Sequence, residues 1–457
     1  MTEARDPVIA VIGAGPAGLR AAETLAAAGL RPVLFDEALR PGGQIYRQPP
    51  AGAERPPAQL YGFEAAKATR LHGVIARAAG RIDYRPETLV WSLAEGQLDS
   101  VGPHGYARLA YDRIVLATGA MDRVLPFPGW TLPGVFTLGA AQIALKAQGV
   151  ALGRRVVLVG AGPLLPLVAH QLRKAGANVV AALDVTPFWP KLANLPGMLA
   201  LPGTLAKGLW YTARNRLAGL AVQANVQALR VEGKARVEAL VWRDAAGREH
   251  RIACDAVAAS FGLRSETQLA DLAGCRFGFD ATTRQWLPQV SAAGRSDIAT
   301  VYLAGDGAGI GGADAAELRG ERAALAVLED LGRKVDGARQ GVLDRGLARH
   351  ARFRRALEAA YPFPSHLLDN LPDDTLLCRC EGVSVGTLRD AVGRCEVTEM
   401  NRLKALTRIG MGRCQGRVCG QAAAELLARA CEADIAAAGR LRGNPPVKPI
   451  PFRKIEA

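Results

Sequence analysis

The chain has 457 residues, of which 49% are hydrophobic and 22% are charged, a composition typical of soluble globular proteins. Because this length exceeds one compact core, we expect two or three domains. The sequence contains no run of eighteen apolar residues, which excludes an ordinary membrane-spanning helix. The formal net charge is +14, but the arginines are spread along the chain without a nucleic-acid-binding motif, so we expect no nucleic-acid partner.

The amino terminus reaches an apolar strand almost at once, in MTEARDPVIAVIGAG, and leaves no room for a signal peptide. We therefore expect a cytoplasmic protein, with peripheral attachment at the inner membrane left open. Cysteines of a cytosolic chain seldom form structural disulfides, so the eight cysteines call for another explanation.

The first predicted elements are a strand, a tight glycine turn, a helix and a second strand, in VIAVIGAGPAGLRAAETLAAAGLRPVLFDE (8–37). A turn of this kind lets a pyrophosphate approach the backbone at the positive end of the helix. Asp36 ends the second strand, where a carboxylate would accept hydrogen bonds from ribose hydroxyls. The pattern predicts a dinucleotide site whose glycines are Gly13, Gly15 and Gly18.

Later segments distinguish FAD from NAD at this first site. The strands in YDRIVLATGA (111–120) and VYLAGDGAG (301–309) run into Ala-Thr-Gly and Gly-Asp turns. These turns resemble the paired signatures of flavoproteins with two dinucleotide domains, the broad glutathione-reductase-like class. The resemblance implies that Asp306 hydrogen-bonds the FAD ribityl chain, that the helix after it points its dipole at the flavin, and that GGQIYR (42–47) lines the isoalloxazine.

A second strand–turn–helix–strand unit follows in RVVLVGAGPLLPLVAHQLRKAGANVVAALD (155–184). Gly160 and Gly162 are present, but Leu165 occupies the third glycine position and would push the helix away from the strand. Asp184 ends the second strand and favours NAD(H) over NADP(H). Two interpretations stay open: a working site for NAD(H) or another adenine nucleotide, and a vestigial fold kept for packing.

Four cysteines fall in the pattern C-x-C, 33 residues, C-x4-C, whereas zinc sites prefer C-x2-C pairs. Four thiolates from two glycine-rich loops suit a [2Fe–2S] cluster, with zinc and disulfides as the alternatives. The predicted ligands are Cys378, Cys380, Cys414 and Cys419. Each of the other cysteines is expected to be a small buried apolar residue: Cys254, Cys275, Cys395 and Cys431.

The motifs together resemble a known family over nearly the whole chain. CRC…GMGRCQGRVCG resembles the [2Fe–2S] domain of the bacterioferritin-associated-ferredoxin type. ATGAMDRVLPFPGWTLPGVFTLGAAQ (117–142), with PGGQIYRQP, resembles the large FAD subunit of heteromeric amino-acid and opine dehydrogenases. That family includes the A subunits of opine oxidases, the B subunit of hydrogen cyanide synthase, and the α subunits of D-hydroxyproline and proline dehydrogenases.

The resemblance implies an electron-transfer role rather than substrate oxidation on this chain, whose catalytic residues are therefore unknown. Substrate would be oxidised on a β subunit like D-amino-acid oxidases, which carries its own FAD. A small ferredoxin-like [2Fe–2S] subunit, an FMN at a subunit interface and a separate redox acceptor are further components that the family pattern allows. Carried onto this sequence, the FAD contacts are Gly13, Gly15, Gly18, Asp36, Gly43, Gln44, Arg47, Thr118, Gly119 and Asp306.

We therefore expect an α/β protein with two Rossmann-like dinucleotide-binding domains, the second inserted in the first, and a small, mainly helical C-terminal [2Fe–2S] domain. The predicted boundaries are 1–120 and 275–340 for the FAD domain, 121–274 for the second nucleotide domain, 341–374 for a connector, and 375–457 for the [2Fe–2S] domain and tail. The alternative function is a stand-alone NADH-dependent reductase (diaphorase) that delivers electrons to a ferredoxin-type acceptor. A scaffold subunit with residual cofactors is a third hypothesis.

Overall fold

A computed structural model describes residues 5–451 of the protein. The first residues of the predicted FAD domain (1–4) and the end of the predicted tail (452–457) lie outside that range. The strands in chain order are β1 (Ile9–Ile12), β2 (Val33–Phe35), β3 (Asp83–Arg85), β4 (Leu89–Ala94), β5 (Gln97–Gly102), β6 (Gly105–Ala110), β7 (Arg113–Leu116), β8 (Ala120–Asp122), β9 (Val135–Thr137), β10 (Val156–Gly160), β11 (Val179–Asp184), β12 (Ala221–Ala224), β13 (Ala228–Glu232), β14 (Ala239–Arg243), β15 (Glu249–Ala253), β16 (Ala256–Ser260), β17 (Leu263–Ser265), β18 (Phe277–Asp280), β19 (Gln285–Pro288), β20 (Val301–Leu303), β21 (Leu376–Cys378) and β22 (Val383–Ser384).

Helices cover the sheets and form most of the C-terminal region. In chain order they are α1 (Pro16–Ala27), α2 (Pro57–Tyr61), α3 (Ala65–His72), α4 (Val74–Ala78), α5 (Leu138–Ile143), α6 (Leu164–Lys174), α7 (Phe188–Ala193), α8 (Leu195–Met198), α9 (Pro202–Leu217), α10 (Gln268–Leu272), α11 (Ala313–Asp330), α12 (Gly337–Ala360), α13 (Val385–Cys395), α14 (Met400–Thr407), α15 (Gly420–Ala430) and α16 (Ile435–Ala438). Among the described residues, no helix combines the length and apolarity needed to cross a membrane.

The first sheet is parallel, in the order β20-β7-β1-β2-β3. Every residue of β1 is buried, because helices cover both faces of a parallel sheet of this kind. Glycines set the helix packing: a Cβ on Gly320 of α11 would lie 2.1 Å from the carbonyl oxygen of Ala17 in α1. The two helices therefore cross at backbone contact, which fixes α1 and its glycine turn over the sheet.

The second sheet is also parallel, in the order β12-β11-β10-β16-β9. The chain leaves the first sheet after β7, builds the second, and returns to the first at β20. Five smaller antiparallel units accompany these sheets in the described part of the chain: β4-β5-β6, β13-β14-β15 and the pairs β17-β8, β18-β19 and β21-β22. The expected α/β fold with two Rossmann-like units is confirmed.

The C-terminal region is mainly helical, as the sequence predicts, and it packs on the second sheet. Its buried Leu388 and Leu403 belong to the same apolar core as Val157 of β10. The indole nitrogen of Trp130 donates to the Leu376 carbonyl (2.6 Å), which joins the two regions. The described part of the tail crosses back to the first domain, where the Val447 N–H donates to the Trp91 carbonyl (3.0 Å).

Candidate functional site

The first glycine turn has the geometry of a ligand cradle. Gly13 has φ +103°, and a Cβ there would lie 2.4 Å from the Ala117 carbonyl oxygen. A Cβ on Gly18 would lie 1.7 Å from the Gly13 carbonyl oxygen, so helix α1 can begin this close to β1 only with glycine. Gly15 precedes α1, and a Cβ on Gly43 would lie 2.8 Å from the Gly15 Cα. The structure therefore brings the predicted pyrophosphate turn against the predicted flavin loop.

Asp36 supports this turn directly. Its carboxylate accepts hydrogen bonds from the Ala14 N–H (2.5 Å) and the Ala38 N–H (2.7 Å). Burial raises the pKa of Asp36, against the lowering effect of the two backbone donors. The predicted ribose contact stays a prediction, and the structure adds that this carboxylate holds the glycine turn in shape.

The loop 42–47 contains a buried polar atom that has no hydrogen-bond partner among the described residues. Arg47 Nη2 donates to the Gln44 side-chain oxygen (3.1 Å), but the buried Arg47 Nε has no hydrogen-bond partner among the described residues. A buried guanidinium N–H in this state fits a bound ligand with acceptor oxygens. Lys146, from the π-helix 144–148 after α5, is 3% exposed and donates to the Ile45 carbonyl (3.0 Å). Burial lowers the pKa of Lys146 to about 8.

The Ala-Thr-Gly and Gly-Asp turns lie side by side. A Cβ on Gly307 would lie 2.7 Å from Thr118 Oγ1, and the Gly119 carbonyl accepts from the Glu266 N–H (3.0 Å). One carboxylate oxygen of Asp306 accepts from the N–H groups of Gly311 (2.7 Å) and Gly312 (3.0 Å), just before α11 begins. The predicted flavin residues therefore lie next to the ends of β1, β2, β7 and β20, where parallel sheets bind ligands. They belong to the turns and loops that follow these strands, except for Gly18 in the first turn of α1.

The second glycine turn differs from the first as the sequence suggested. A Cβ on Gly160 would lie 1.9 Å from the Ser260 carbonyl oxygen, whereas Gly162 has open space. Leu165 lies in the first turn of α6 and is buried in the core of this domain. Asp184 forms an ion pair with Lys191 (2.5 Å) and accepts from the Thr186 N–H (2.8 Å). The acid expected to contact a ribose is thus already neutralised by a neighbouring cation, which keeps both interpretations of this site open.

The four predicted ligand cysteines come together in one group. The Cys419 thiol hydrogen-bonds to the sulfurs of Cys378 and Cys414, and the Cys380 thiol contacts Cys414. Cys378 and Cys419 are buried, Cys414 is half-buried and Cys380 is exposed. No three His, Cys, Asp or Glu side chains of the part described are arranged to hold a single metal ion. The case for a metal centre therefore depends on these pairwise thiol contacts.

The electrostatics favour the thiolate form of two of these cysteines, Cys378 and Cys414. The hydrogen bond from Cys419 lowers the pKa of Cys378 to about 6, and the backbone N–H groups of Gly410 and Glu381 act in the same direction. Cys419 likewise holds the pKa of Cys414 below its usual value, and those two bonds raise the pKa of Cys419 itself. Burial raises the pKa of Cys380. Iron ligation needs deprotonated sulfurs, so Cys378 and Cys414 are the two sulfurs prepared for it, and the grouping of all four thiols is what fits a four-thiolate cluster.

The prediction for the other cysteines is partly wrong. Cys254 and Cys275 are buried as expected and Cys431 is half-buried, but Cys395 is exposed. Cys395 is the last residue of α13, where the chain turns through the left-handed residue Glu396 and points its final turn to solvent.

Two further residues, Glu266 and Arg417, connect the flavin turns to the cysteine loop (residues 414–419). Neither was predicted as a site residue from the sequence. The Thr118 hydroxyl donates to the Glu266 carbonyl (2.6 Å), and the Glu266 carboxylate pairs with Arg417. No motif identifies Glu266, and Arg417 stands out in the sequence only as one of several cations near the cysteines. Only the folded chain shows that the two residues meet.

Comparisons with known proteins match this arrangement. Residues 7–327 match the pyridine nucleotide-disulphide oxidoreductase family, and residues 376–429 match the BFD-like [2Fe-2S] binding domain. The opine oxidase A subunit of Rhizobium meliloti is 38% identical, with 97% of this chain and 86% of that protein covered. The hydrogen cyanide synthase subunit HcnB of Pseudomonas protegens is 34% identical, with 98% of this chain and 96% of that protein covered.

Solved structures share the fold. L-proline dehydrogenase from P. horikoshii superposes with a TM-score of 0.72 at 21% identity, covering 98% of this chain and 79% of its own. Thioredoxin reductase from T. acidophilum superposes with a TM-score of 0.51 at 20% identity, covering 72% of this chain and 99% of its own. The chain therefore belongs to the pyridine nucleotide-disulphide oxidoreductase family of FAD-dependent enzymes and carries a BFD-like [2Fe-2S] binding domain, so that FAD and a [2Fe–2S] cluster are the cofactors that its family implies.

Proposed function

We propose that this chain is the electron-transfer subunit of a heteromeric dehydrogenase or oxidase for an amino acid, an imino acid or an opine. The observation that carries the proposal is the contact between the two predicted cofactor sites. Thr118 of the flavin turn bonds to the Glu266 backbone, and the Glu266 carboxylate pairs with Arg417 of the cysteine loop. FAD exchanges electrons in pairs or singly and a [2Fe–2S] cluster takes them singly, so adjoining sites suit a relay.

The relatives support the heteromeric part of the proposal, because the opine oxidase relative and HcnB are each named as one subunit of an enzyme. The partner would be a D-amino-acid-oxidase-like β subunit that oxidises the substrate at its own FAD. We also propose, as optional components, an FMN at the interface and a small ferredoxin-like [2Fe–2S] subunit. We place the assembly in the cytoplasm.

We propose that electrons leave the chain at the exposed side of the cysteine group. Cys380 is exposed, and the exposed side chains of Arg379, Arg408 and Arg413 lie close to it in the chain or on the facing loop. Glu381 pairs with Arg408 (2.9 Å), so two cations remain available. A redox acceptor with an acidic surface would be attracted to this side, most strongly at low ionic strength.

The test is co-expression of this chain with a D-amino-acid-oxidase-like protein sought among the genes that neighbour its own. The purified pair is offered proline, D-hydroxyproline, glycine and opines together with an artificial electron acceptor. We expect a stable complex that reduces the acceptor with one of these substrates, whereas the chain alone does not. Failure to form a complex, or equal activity of the chain alone, would contradict the heteromeric assignment.

A second candidate is the stand-alone NADH-dependent reductase, which the second parallel sheet with Gly160, Gly162 and Asp184 favours. Anaerobic mixing of the purified chain with NADH separates the two functions. Reduction of the flavin within seconds, observed as bleaching of its visible absorption, would support the reductase. A flavin that NADH leaves oxidised, but that substrate reduces through the partner, would support the electron-transfer subunit.

A further inference from the structure

Residues 264–268, which we call the bridging segment, lie between the predicted flavin turns and the cysteine loop (residues 414–419). On the flavin side, Thr118 Oγ1 donates to the Glu266 carbonyl (2.6 Å) and the Glu266 N–H donates to the Gly119 carbonyl (3.0 Å). Ser265 Oγ donates to the Asp306 carbonyl (2.6 Å). The bridging segment is therefore fixed by hydrogen bonds to both the Ala-Thr-Gly and the Gly-Asp turn.

The same segment holds the cysteine loop from the opposite side. Arg264 Nη1 donates to the Arg417 carbonyl (2.8 Å), and Gln268 Nε2 donates to the Gln415 carbonyl (2.7 Å). Glu266 completes the contact through an ion pair with Arg417, with Nε and Oε2 2.5 Å apart. The side chains of this pair are only 14% and 6% exposed, so the pair is little screened by solvent.

Charge is concentrated beside the thiols. Arg264 interacts electrostatically with Cys414 and Cys419 as well as with Glu266 and Arg417. Burial alone would raise the pKa of Glu266, but Arg417 and Arg264 hold it below its ordinary value. Glu266 is therefore an anion that offsets one of two cations next to the cysteine group, the buried Arg417 and the half-buried Arg264.

We propose that Glu266 is a positioning residue that fixes the cysteine loop against the flavin turns and sets the charge that the cluster experiences. The proposal depends on the two cofactors that the family implies and not on the partner subunit. Its electrostatic consequence has a definite sign. Reduction adds one negative charge to the cluster, so removing the Glu266 carboxylate while both arginines remain makes the reduced cluster more stable.

The test is the Glu266→Gln variant of the full chain with its flavin and iron in place. Glutamine keeps the length of the side chain and one acceptor oxygen but removes the charge. We expect the midpoint potential of the cluster, measured by a redox titration followed by electron paramagnetic resonance, to rise. The expected shift is about tenfold in the one-electron equilibrium, or about 59 mV. Iron and flavin contents should stay at the wild-type level.

Asp271→Asn is the matched control. Asp271 lies on α10 and pairs with Arg440 of the C-terminal region through two 2.7 Å hydrogen bonds, but it makes no hydrogen bond or ion pair with the cysteine loop among the described contacts. The Asp271→Asn substitution therefore removes an acidic charge from the contact between α10 and the C-terminal region, and it leaves the contacts of Arg264 and Arg417 intact. We expect its cluster potential to match that of the wild type.

Arg417→Gln gives a second measure with the opposite sign, because it removes the cation and leaves Glu266 behind. The cluster potential should then fall. Opposite shifts in the two variants distinguish a charge effect from loosened packing, which has no reason to follow the sign of the removed charge. The proposal is overturned if the cluster potential of Glu266→Gln equals that of the wild type, or if the potentials of Glu266→Gln and Arg417→Gln shift in the same direction.

Discussion

Arg284 and Glu425 form a two-point ion pair between the turn of the β18-β19 hairpin and helix α15. Arg284 Nε lies 2.6 Å from Glu425 Oε1, and Nη2 lies 2.7 Å from Oε2. The Glu425 side chain is 1% exposed, and Arg429 adds a weaker contact at 3.3 Å. The helix that follows Cys419 is thus attached to the hairpin through a buried carboxylate that depends on a cation from another part of the chain.

Replacing Arg284 with alanine should destabilise the protein strongly. Removal of one partner leaves the Glu425 carboxylate buried with only the weaker contact, a situation that costs about 3–5 kcal/mol. Urea unfolding followed by circular dichroism measures the change. The control is Arg5→Ala, which breaks an exposed pair with Asp112 (3.1 Å) and should change the free energy of unfolding by less than ~1 kcal/mol. Equal effects of the two variants would contradict the expectation.

Cys414→Ser should remove the iron–sulfur absorption while the flavin remains bound. Cys414 contacts both Cys380 and Cys419, so its loss breaks the thiol group at its centre. Iron, sulfide and flavin are measured per chain after purification. Cys395→Ser is the control, because that cysteine is exposed at the end of α13 and should leave all three unchanged. Stoichiometric iron and sulfide in Cys414→Ser would refute the ligand assignment.

Asp36→Ala should weaken flavin retention. The substitution removes the acceptor for the Ala14 and Ala38 N–H groups, a loss worth about 1–3 kcal/mol for each buried donor left unpaired. The ratio of flavin to protein after dialysis gives the result. Asp83→Ala on the neighbouring strand β3 removes a carboxylate that pairs with Arg85 (3.0 Å) and serves as the control. A variant that keeps its full flavin through dialysis would count against Asp36.

Lys146→Met should change the dependence of stability on pH. The pKa of Lys146 is lowered by burial from 10.5 to about 8 in the folded chain. Between these two values the unfolded chain binds the proton and the folded chain does not, so stability rises as pH increases. The wild type should therefore gain on the order of 3 kcal/mol relative to Lys146→Met from about pH 8 to pH 10.5, since one pKa unit is worth about 1.4 kcal/mol.

Urea unfolding of both proteins at intervals across that range isolates the contribution of this lysine, because all other groups titrate alike in the two chains. Parallel stability curves would show that the amine stays protonated in the fold. Such a result would also mean that its hydrogen bond to the Ile45 carbonyl is made by an ammonium group.

The features that could be predicted from the amino-acid sequence are those that depend on local geometry. The glycines of the first turn are required by a positive φ angle or by close contact with another backbone segment. Only glycine meets these requirements, so a short glycine motif predicts the turn. The alternation of strands and helices follows from apolar periodicity, and it predicts the α/β fold. The grouping of the four cysteines could be predicted because two glycine-rich loops that carry four thiols suit only a few kinds of site: an iron–sulfur cluster, a zinc ion or disulfides.

The connections between the sites, by contrast, arise from packing. Glu266 and Arg417 are 151 residues apart, and Lys146 and Ile45 are 101 apart, yet each pair is in contact. Neither contact can be recognised from the neighbouring sequence, because an isolated acid or lysine has many allowed partners. The residue type of Cys395 suggested burial, but its place at the end of α13 leaves it exposed. Such features depend on packed sheets and helices that bring distant loops together, since packing and not local conformation selects the partner.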